Sequence, residues 1–172
     1  YVLRDAIGRD WQCGTLQVDF NLPGRLGSFY IGSDGEKHIP VMLHRAIFGS
    51  LERFTGILIE HYAGRLPLWI SPTQIAIVTI NSQCDQYAKD VLEQCSASSL
   101  RAEVDLRNEK ISYKIREHIS VKIPILFVIG QKEIEDGTVT IRELGNNEQK
   151  TIKLDDAISE IKSRANPPDF SF

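Results

Sequence analysis

Several side chains in this 172-residue chain have the type and spacing to do chemistry. Cys13, Thr15 and Gln17, with neighbouring Gln12, place a thiol, a hydroxyl and an amide on alternate positions of an extended segment. Such a row can donate and accept hydrogen bonds to a polar ligand, and it is equally the pattern of an edge strand facing solvent. Gly49 and Ser50 precede Arg53. On a helix Arg53 lies one turn beyond Gly49, so a planar, permanently charged guanidinium stands over a position without a Cβ, with room for a flat base or a phosphate. On a solvated helix the same arginine would pair with Glu52 or Glu60. His44 is a lone histidine, which by itself reads as a satisfied polar residue of a core. From Arg101 to Lys122, six cations, among them Lys110, Lys114 and Arg116, stand against four anions, a net of +2 that suits phosphate, or else a mixed-charge solvated helix face. Asn108, just ahead of that helix, reads as its N-cap. There is no G-x-S-x-G, H-E-x-x-H, C-x-x-C or Walker A pattern, which argues against a general serine or cysteine hydrolase.

The elements that must hold these groups follow from periodicity. Asp10 to Phe20 alternates, with Leu16, Val18 and Phe20 on one side and Cys13, Thr15, Gln17 and Asp19 on the other, which predicts a strand with one apolar face. Ser33-Asp34-Gly35-Glu36 predicts a turn before a short strand over Lys37–Met42. Ile47, Leu51, Phe54, Leu58 and Tyr62 are spaced as the core stripe of a helix over His44–Tyr62, stopped by Gly64. Gly49 and Gly56 inside such a helix would cost about 1 kcal/mol each relative to alanine, a sign that something approaches closely there. The prolines of Gly64 to Pro72 suit a stiff connector and place the domain boundary, giving domains 1–66 and 67–172. Beyond it strands and helices alternate: strand Ile75–Ile80, helix Gln83–Ala97, strand Ala102–Leu106, helix Lys110–Val121, strand Ile123–Ile129, strands Val139–Glu143 and Gln149–Leu154, and a helix Asp155–Arg164 capped by Asp155. Continuous apolar runs such as Ile123–Ile129 predict central strands covered by helices on both faces, an α/β domain.

Composition sets the outer limits. Apolar residues make up 42% and charged residues 25%, so disorder, collagen and coiled coil are excluded. No apolar run approaches the roughly 20 residues that span a bilayer, so no membrane association is expected. Cys13, Cys84 and Cys95 are odd in number with no paired spacing, so free thiols and a cytoplasmic location are expected. Net charge is −3, with the basic stretch offset by −4 from Glu133 to Phe172. The first residue, Tyr1, already looks like the middle of something, as in a fragment.

The run from Trp11 to Phe20 (WQCGTLQVDF) and the run from Pro40 to Phe54 (PVMLHRAIFGSLERF) closely resemble threonyl-tRNA synthetase, and the likeness continues through Asp105–Ile111 (DLRNEKI) and Lys114–His118 (KIREH). The second run is similar to motif 3 of the class II synthetases, a strand followed by a helix ending in Gly-x-x-Glu-Arg. Ser50 stands where many class II enzymes have glycine, as in the threonyl branch.

The resemblance implies a fold and a set of roles. The chain would hold the last strands and helix of an antiparallel-sheet class II catalytic domain, then a mixed-sheet α/β anticodon-binding domain with helices on both faces. Arg53 would be the catalytic, ATP-binding arginine, with Gly49 and Ser50 beside it and with Gln12, Cys13, Thr15 and Gln17 on the floor of the adenylate pocket. His44 would be one of three protein ligands of a Zn2+ ion, which holds an amino group and a hydroxyl together and so rejects valine. The other two ligands, a Cys and a His, and the motif 2 arginine are not among these residues, so these residues alone are expected not to form adenylate. Asn108, Glu133 and Arg142 match positions that read anticodon bases, whose unstacked edges an amide, a carboxylate and a guanidinium can bond. Lys110, Lys114 and Arg116 would contact the tRNA backbone. The resemblance further implies ATP with Mg2+, threonine, tRNA(Thr) and a homodimer for the full-length enzyme. A non-catalytic relative that kept the module for RNA binding or dimerisation is the alternative.

Overall fold

The chain folds into two units, Tyr1–Ala63 and Gly64–Phe172. The computed structural model describes residues 1–5, 7–146 and 148–168.

In the first unit β1 (Val2–Arg4) pairs antiparallel with β2 (Asp10–Gln12). The expected Asp10–Phe20 strand is interrupted at Cys13-Gly14, where both amides donate to the Tyr1 carbonyl, and resumes as β3 (Thr15–Asp19). A short helix α1 (Leu22–Arg25) and the hairpin β4 (Tyr30–Ile31) with β5 (Lys37–His38) follow. Strand β6 (Met42–Ala46) then pairs antiparallel with β3, setting Gln17 opposite His44 and Val18 opposite Leu43. The alternation seen in the sequence is real, but its apolar side, Leu16, Val18 and Leu43, is exposed. Helix α2 spans Leu51–His61 and also buries none of its residues.

The start of α2 corrects the expected His44–Tyr62 helix. His44 is in the middle of a strand, and Gly49 sits at φ +71° in the left-handed region, which ends any continuous helix there. Ser50, with extended backbone, then caps α2 by accepting a hydrogen bond from the Arg53 amide at 3.1 Å. A Cβ on Gly49 would stand 3.3 Å from the Gln12 carbonyl oxygen, so the close approach inferred from this glycine is to backbone.

The second unit is built on the apolar runs. Strands β7 (Ile75–Thr79), β8 (Ala102–Asp105), β9 (Ile125–Ile129), β10 (Thr138–Glu143) and β11 (Gln149–Lys153) form one sheet in the order β11-β10-β9-β7-β8. The sheet is mixed: β8, β7 and β9 are parallel, and β10 and β11 are antiparallel additions. Ile75, Ile77, Ile125, Phe127, Ile129, Val139 and Ile141 share one face and form the main core with α3 (Asp85–Ala97) and α6 (Leu154–Arg164). The other face carries Ala76 and Leu126, packed with Ile115 of α4 (Ile111–Ser120). A short α5 (Gln131–Asp136), not foreseen, follows β9 and ends at Gly137 in the left-handed conformation. Helix α6 begins one residue before Asp155, so Asp155 lies in its first turn, where its charge favours the helix dipole, and Lys153 holds the cap position.

The stretch Gly64 to Pro72 is tied into the second unit. Ser71 is buried and donates to the Leu66 and Pro67 carbonyls, while Arg101 donates to the carbonyls of Ser71 and Trp69.

Candidate functional site

In the second unit the connection after β8 turns to one face of the sheet through α4 and the connection after β7 to the other through α3, so the chain diverges at the C-terminal ends of the adjacent strands β7 and β8. Open α/β sheets bind ligands at such a divergence. The loops there are Ile80-Asn81, Leu106 to Lys110, and Gly130 with the start of α5. Asn108 is exposed on the second of them. It does not cap α4: Lys110 occupies the cap position, and no side chain bonds there.

What fixes that loop is Asp105. Its carboxylate accepts from the Arg107 amide at 3.1 Å, from Arg107 Nε at 2.9 Å and Nη2 at 2.7 Å, and lies 3.0 Å from His118 Nε2. The Arg107 guanidinium, with its amide, His118 and the nearby Lys114 ammonium, holds the Asp105 carboxyl well below the usual carboxylate range against the opposing effect of burial. A depressed native pKa contributes stability that is fully present above the unfolded value of about 3.9 and is lost as pH falls below it. Urea unfolding between pH 6 and 3 is therefore expected to show a loss on the order of 1 to 2 kcal/mol in the wild type that is missing in Asp105→Asn. Equal acid slopes in the two proteins would refute the assignment.

The cations divide. Lys110 and Arg116 are exposed, as a phosphate contact requires. Lys114 is only 1% exposed, and its ammonium donates to the Thr79 carbonyl (3.1 Å), Thr79 Oγ1 (3.3 Å) and the Asp105 carbonyl (3.0 Å). All three of its donors are spent inside the protein, so the expected backbone contact at Lys114 is corrected.

Glu133, on α5, lies at the end of the sheet that carries Asn108, whereas Arg142 pairs with Leu126 and so stands level with Ala76, near the N-terminal ends of β9 and β7. Glu133 Oε2 accepts from the Gly130 amide at 2.9 Å, and Oε1 accepts from Thr140 Oγ1 at 2.8 Å, so this carboxylate joins α5 to β10. Arg142 lies two residues beyond Thr140, hence on the same face of β10, opposite Leu126 and Gln149. Its guanidinium makes no hydrogen bond or ion pair among the described residues.

In the first unit the β3–β6 pairing puts Thr15, Gln17 and His44 on one face, as the polar alternation required. Asp19, which the alternation put on this face without a role, shares it. Asp19 accepts from the Asn21 and Leu22 amides and lies 3.0 Å from His44 Nε2. The Leu22 and Asn21 amides first, then His44, pull its carboxyl down to about 2. The Asp-x-Asn spacing was the available signal, since it favours a local side-chain-to-backbone turn. Cys13 departs from this face. It is 7% exposed at the strand break and lines a cavity of about 390 Å³ with Tyr1, Arg45, Phe48 and Phe54. Arg53 is exposed on the first turn of α2, and Glu60, a candidate partner, is instead held by Arg9 at 2.7 Å.

His44, with a carboxylate on one ring nitrogen, fits one corner of a metal site with an outer-shell partner. Zinc needs three or four such ligands, and the described residues contain no group of three His, Cys, Asp or Glu able to hold an ion.

Comparison with known proteins agrees with both units. Residues 74–164 match the family model described as the anticodon binding domain, and residues 2–62 match the class II tRNA synthetase core domain of the G, H, P, S and T type. The threonine–tRNA ligases of Rhodopseudomonas palustris and Parvibaculum lavamentivorans are 60% and 59% identical to this chain over 98% and 97% of its length. A crystal structure described as the RNA binding domain of threonyl-tRNA synthetase from Cryptosporidium parvum superposes with a TM-score of 0.82 at 35% identity, over 97% of this chain and 42% of that one. The chain spans about a quarter of the length of the curated relatives it matches, 26% in each case. The two family models define the class: part of a class II synthetase core followed by an anticodon-binding domain. Within that class, the chain belongs to the threonyl-tRNA synthetase family.

Proposed function

We propose that this chain serves a threonine–tRNA ligase that activates threonine with ATP and Mg2+ and transfers it to tRNA(Thr). Residues 1–66 supply the motif 3 part of the catalytic core and residues 67–172 read the anticodon. The observation that carries the reading is the end of the second unit where Asn108, on the loop after β8, lies at the divergence of the parallel strands β7 and β8. Arg142, half-buried and with no protein partner among the described residues, stands on β10 of the same sheet. Unpaired single-stranded bases are recognised by such hydrogen-bonding groups, and Lys110 and Arg116 add phosphate attraction. Glu133 contributes by holding α5 to β10 and, through its remaining acceptor capacity, by meeting a base donor.

In the first unit Arg53 binds ATP, with Gln12, Thr15, Gln17, Gly49 and Ser50 around the substrates. His44 ligates zinc together with residues outside this chain, and zinc when bound supplies the Lewis acid that holds the amino and hydroxyl groups of threonine. The exposed apolar face of β3 and β6 is suited to burial within a larger core, and the enzyme works as a homodimer in the cytoplasm, where the three free cysteines stay reduced.

The anticodon assignment separates two groups of variants. Asn108→Ala and Arg142→Ala are each expected to cost about 1 to 3 kcal/mol against the threonine anticodon stem-loop and little against an anticodon-swapped loop. Lys110→Ala and Arg116→Ala are expected to weaken both loops alike and to flatten the dependence on salt, since each lost phosphate contact releases one counterion fewer. Fluorescence titration at two salt concentrations measures both. Equal losses on the two loops for Asn108→Ala and Arg142→Ala would remove them from base reading.

A further inference from the structure

Lys114 has no role in ion pairing that its position would suggest. An ammonium withdrawn from water is costly unless every donor finds a strong acceptor. Here the acceptors are the carbonyl and hydroxyl of Thr79, the last residue of β7, and the carbonyl of Asp105, the last residue of β8. The Asp105 carboxylate is turned instead to Arg107 and His118. Two adjacent parallel strands are thus clamped at their C-terminal ends by a side chain from α4, at the point where their loops part. One loop continues into Ile80 and Asn81, whose side chain accepts from the Gln83 amide at 3.1 Å. The other carries Asn108. Fixing two strand ends from one point sets the distance between the two loops, a quantity that recognition of splayed bases depends on and that phosphate attraction does not.

We infer that Lys114 is a positioning residue for anticodon recognition, which sets the loops after β7 and β8 relative to one another and touches no RNA. The inference rests on the anticodon reading of this end of the unit. Lys114→Met keeps the length of the side chain and removes the clamp. Thr79→Val removes one of the three acceptors with little change in shape. For the 172-residue chain and each variant, the measurements are the affinity for cognate and anticodon-swapped stem-loops over a range of salt, with urea unfolding alongside.

Lys114→Met is expected to lower the preference for the cognate loop by about tenfold while leaving the slope of affinity against salt as in the wild type, and Thr79→Val to lower the preference by about threefold. Lys110→Ala is expected to do the reverse, flattening the slope and keeping the preference. A folded Lys114→Met that flattens the slope with its preference intact would make Lys114 a phosphate contact and overturn the inference. So would a folded variant that binds as the wild type does, since the clamp would then be structural only. If Lys114→Met does not fold, Thr79→Val decides: an unchanged preference overturns the positioning role. A wild-type chain with no preference between loops overturns the anticodon reading and this inference together, whereas a wild-type preference that survives both substitutions overturns this inference alone.

Discussion

In the full-length ligase, Arg53→Ala is expected to lower threonine-dependent ATP–pyrophosphate exchange by about 30- to 1,000-fold, on the order of 2 to 4 kcal/mol of transition-state stabilisation, by analogy with loss of a preorganised donor. The geometry supports so large an effect because the arginine is free to act and its backbone is not free to move. Ser50 accepts the Arg53 amide and fixes the first turn of α2, and the turn at Gly49 is held against the Gln12 and Cys13 backbone. Glu60, which could have tied the guanidinium down, is bound by Arg9. Arg53→Lys keeps the charge and loses the planar fork, so it should recover little of the activity. Exchange at the wild-type rate in Arg53→Ala would remove Arg53 from the ATP site.

His44→Ala in the same enzyme is expected to bring zinc content to background and to raise the threonine KM, with a loss of metal affinity greater than the roughly 10- to 100-fold typical of removing an outer-shell partner. Asp19, 3.0 Å from His44 Nε2, is the partner that holds the ring in place. Its carboxyl is held down to about 2, so it stays ionised through any pH at which the enzyme would be assayed. Metal analysis gives the answer without an activity assay. Zinc content and threonine KM unchanged in His44→Ala would show that the imidazole is a structural partner of Asp19 and nothing more.

The second unit was the more legible in the sequence. Runs such as Ile75–Ile80 and Ile123–Ile129 are apolar because both sheet faces are covered, and strand placement followed to within one or two residues at most ends. The start of α2 was misread because Ile47 happens to continue the helical spacing of Leu51, Phe54 and Leu58 backwards through a loop. The Gly49-Ser50 pair, a left-handed turn and an N-cap, was the signal that outweighed it. The break at Cys13-Gly14 was marked locally only by the glycine, where a Cβ would stand 2.9 Å from the Tyr1 ring, and its hydrogen bonds to Tyr1 were not legible.

Burial of charge was the least visible feature. Lys114 and His118 share one stripe of α4 with Ile111 and Ile115, and that spacing could have been read as placing both against the sheet. Residue type pointed to solvent instead. A lysine can be buried here because two strand ends offer it three oxygen acceptors, an arrangement created by tertiary packing alone. Likewise the acid group of Asp105 reads as a strand-end turn residue bonded locally to Arg107, while its contact to His118 depends on where α4 docks.

Anticodon reading by the second unit is tested most directly by the affinity of the wild-type chain for two RNA hairpins that share a stem and differ only in the anticodon. At a salt concentration high enough to suppress nonspecific attraction, the threonine anticodon loop is expected to bind at least about fivefold more tightly than the swapped loop, the least that one or two lost base contacts of about 1 to 3 kcal/mol each would produce. Equal affinity for the two hairpins would mean that this surface holds RNA through its backbone only, and would contradict the account.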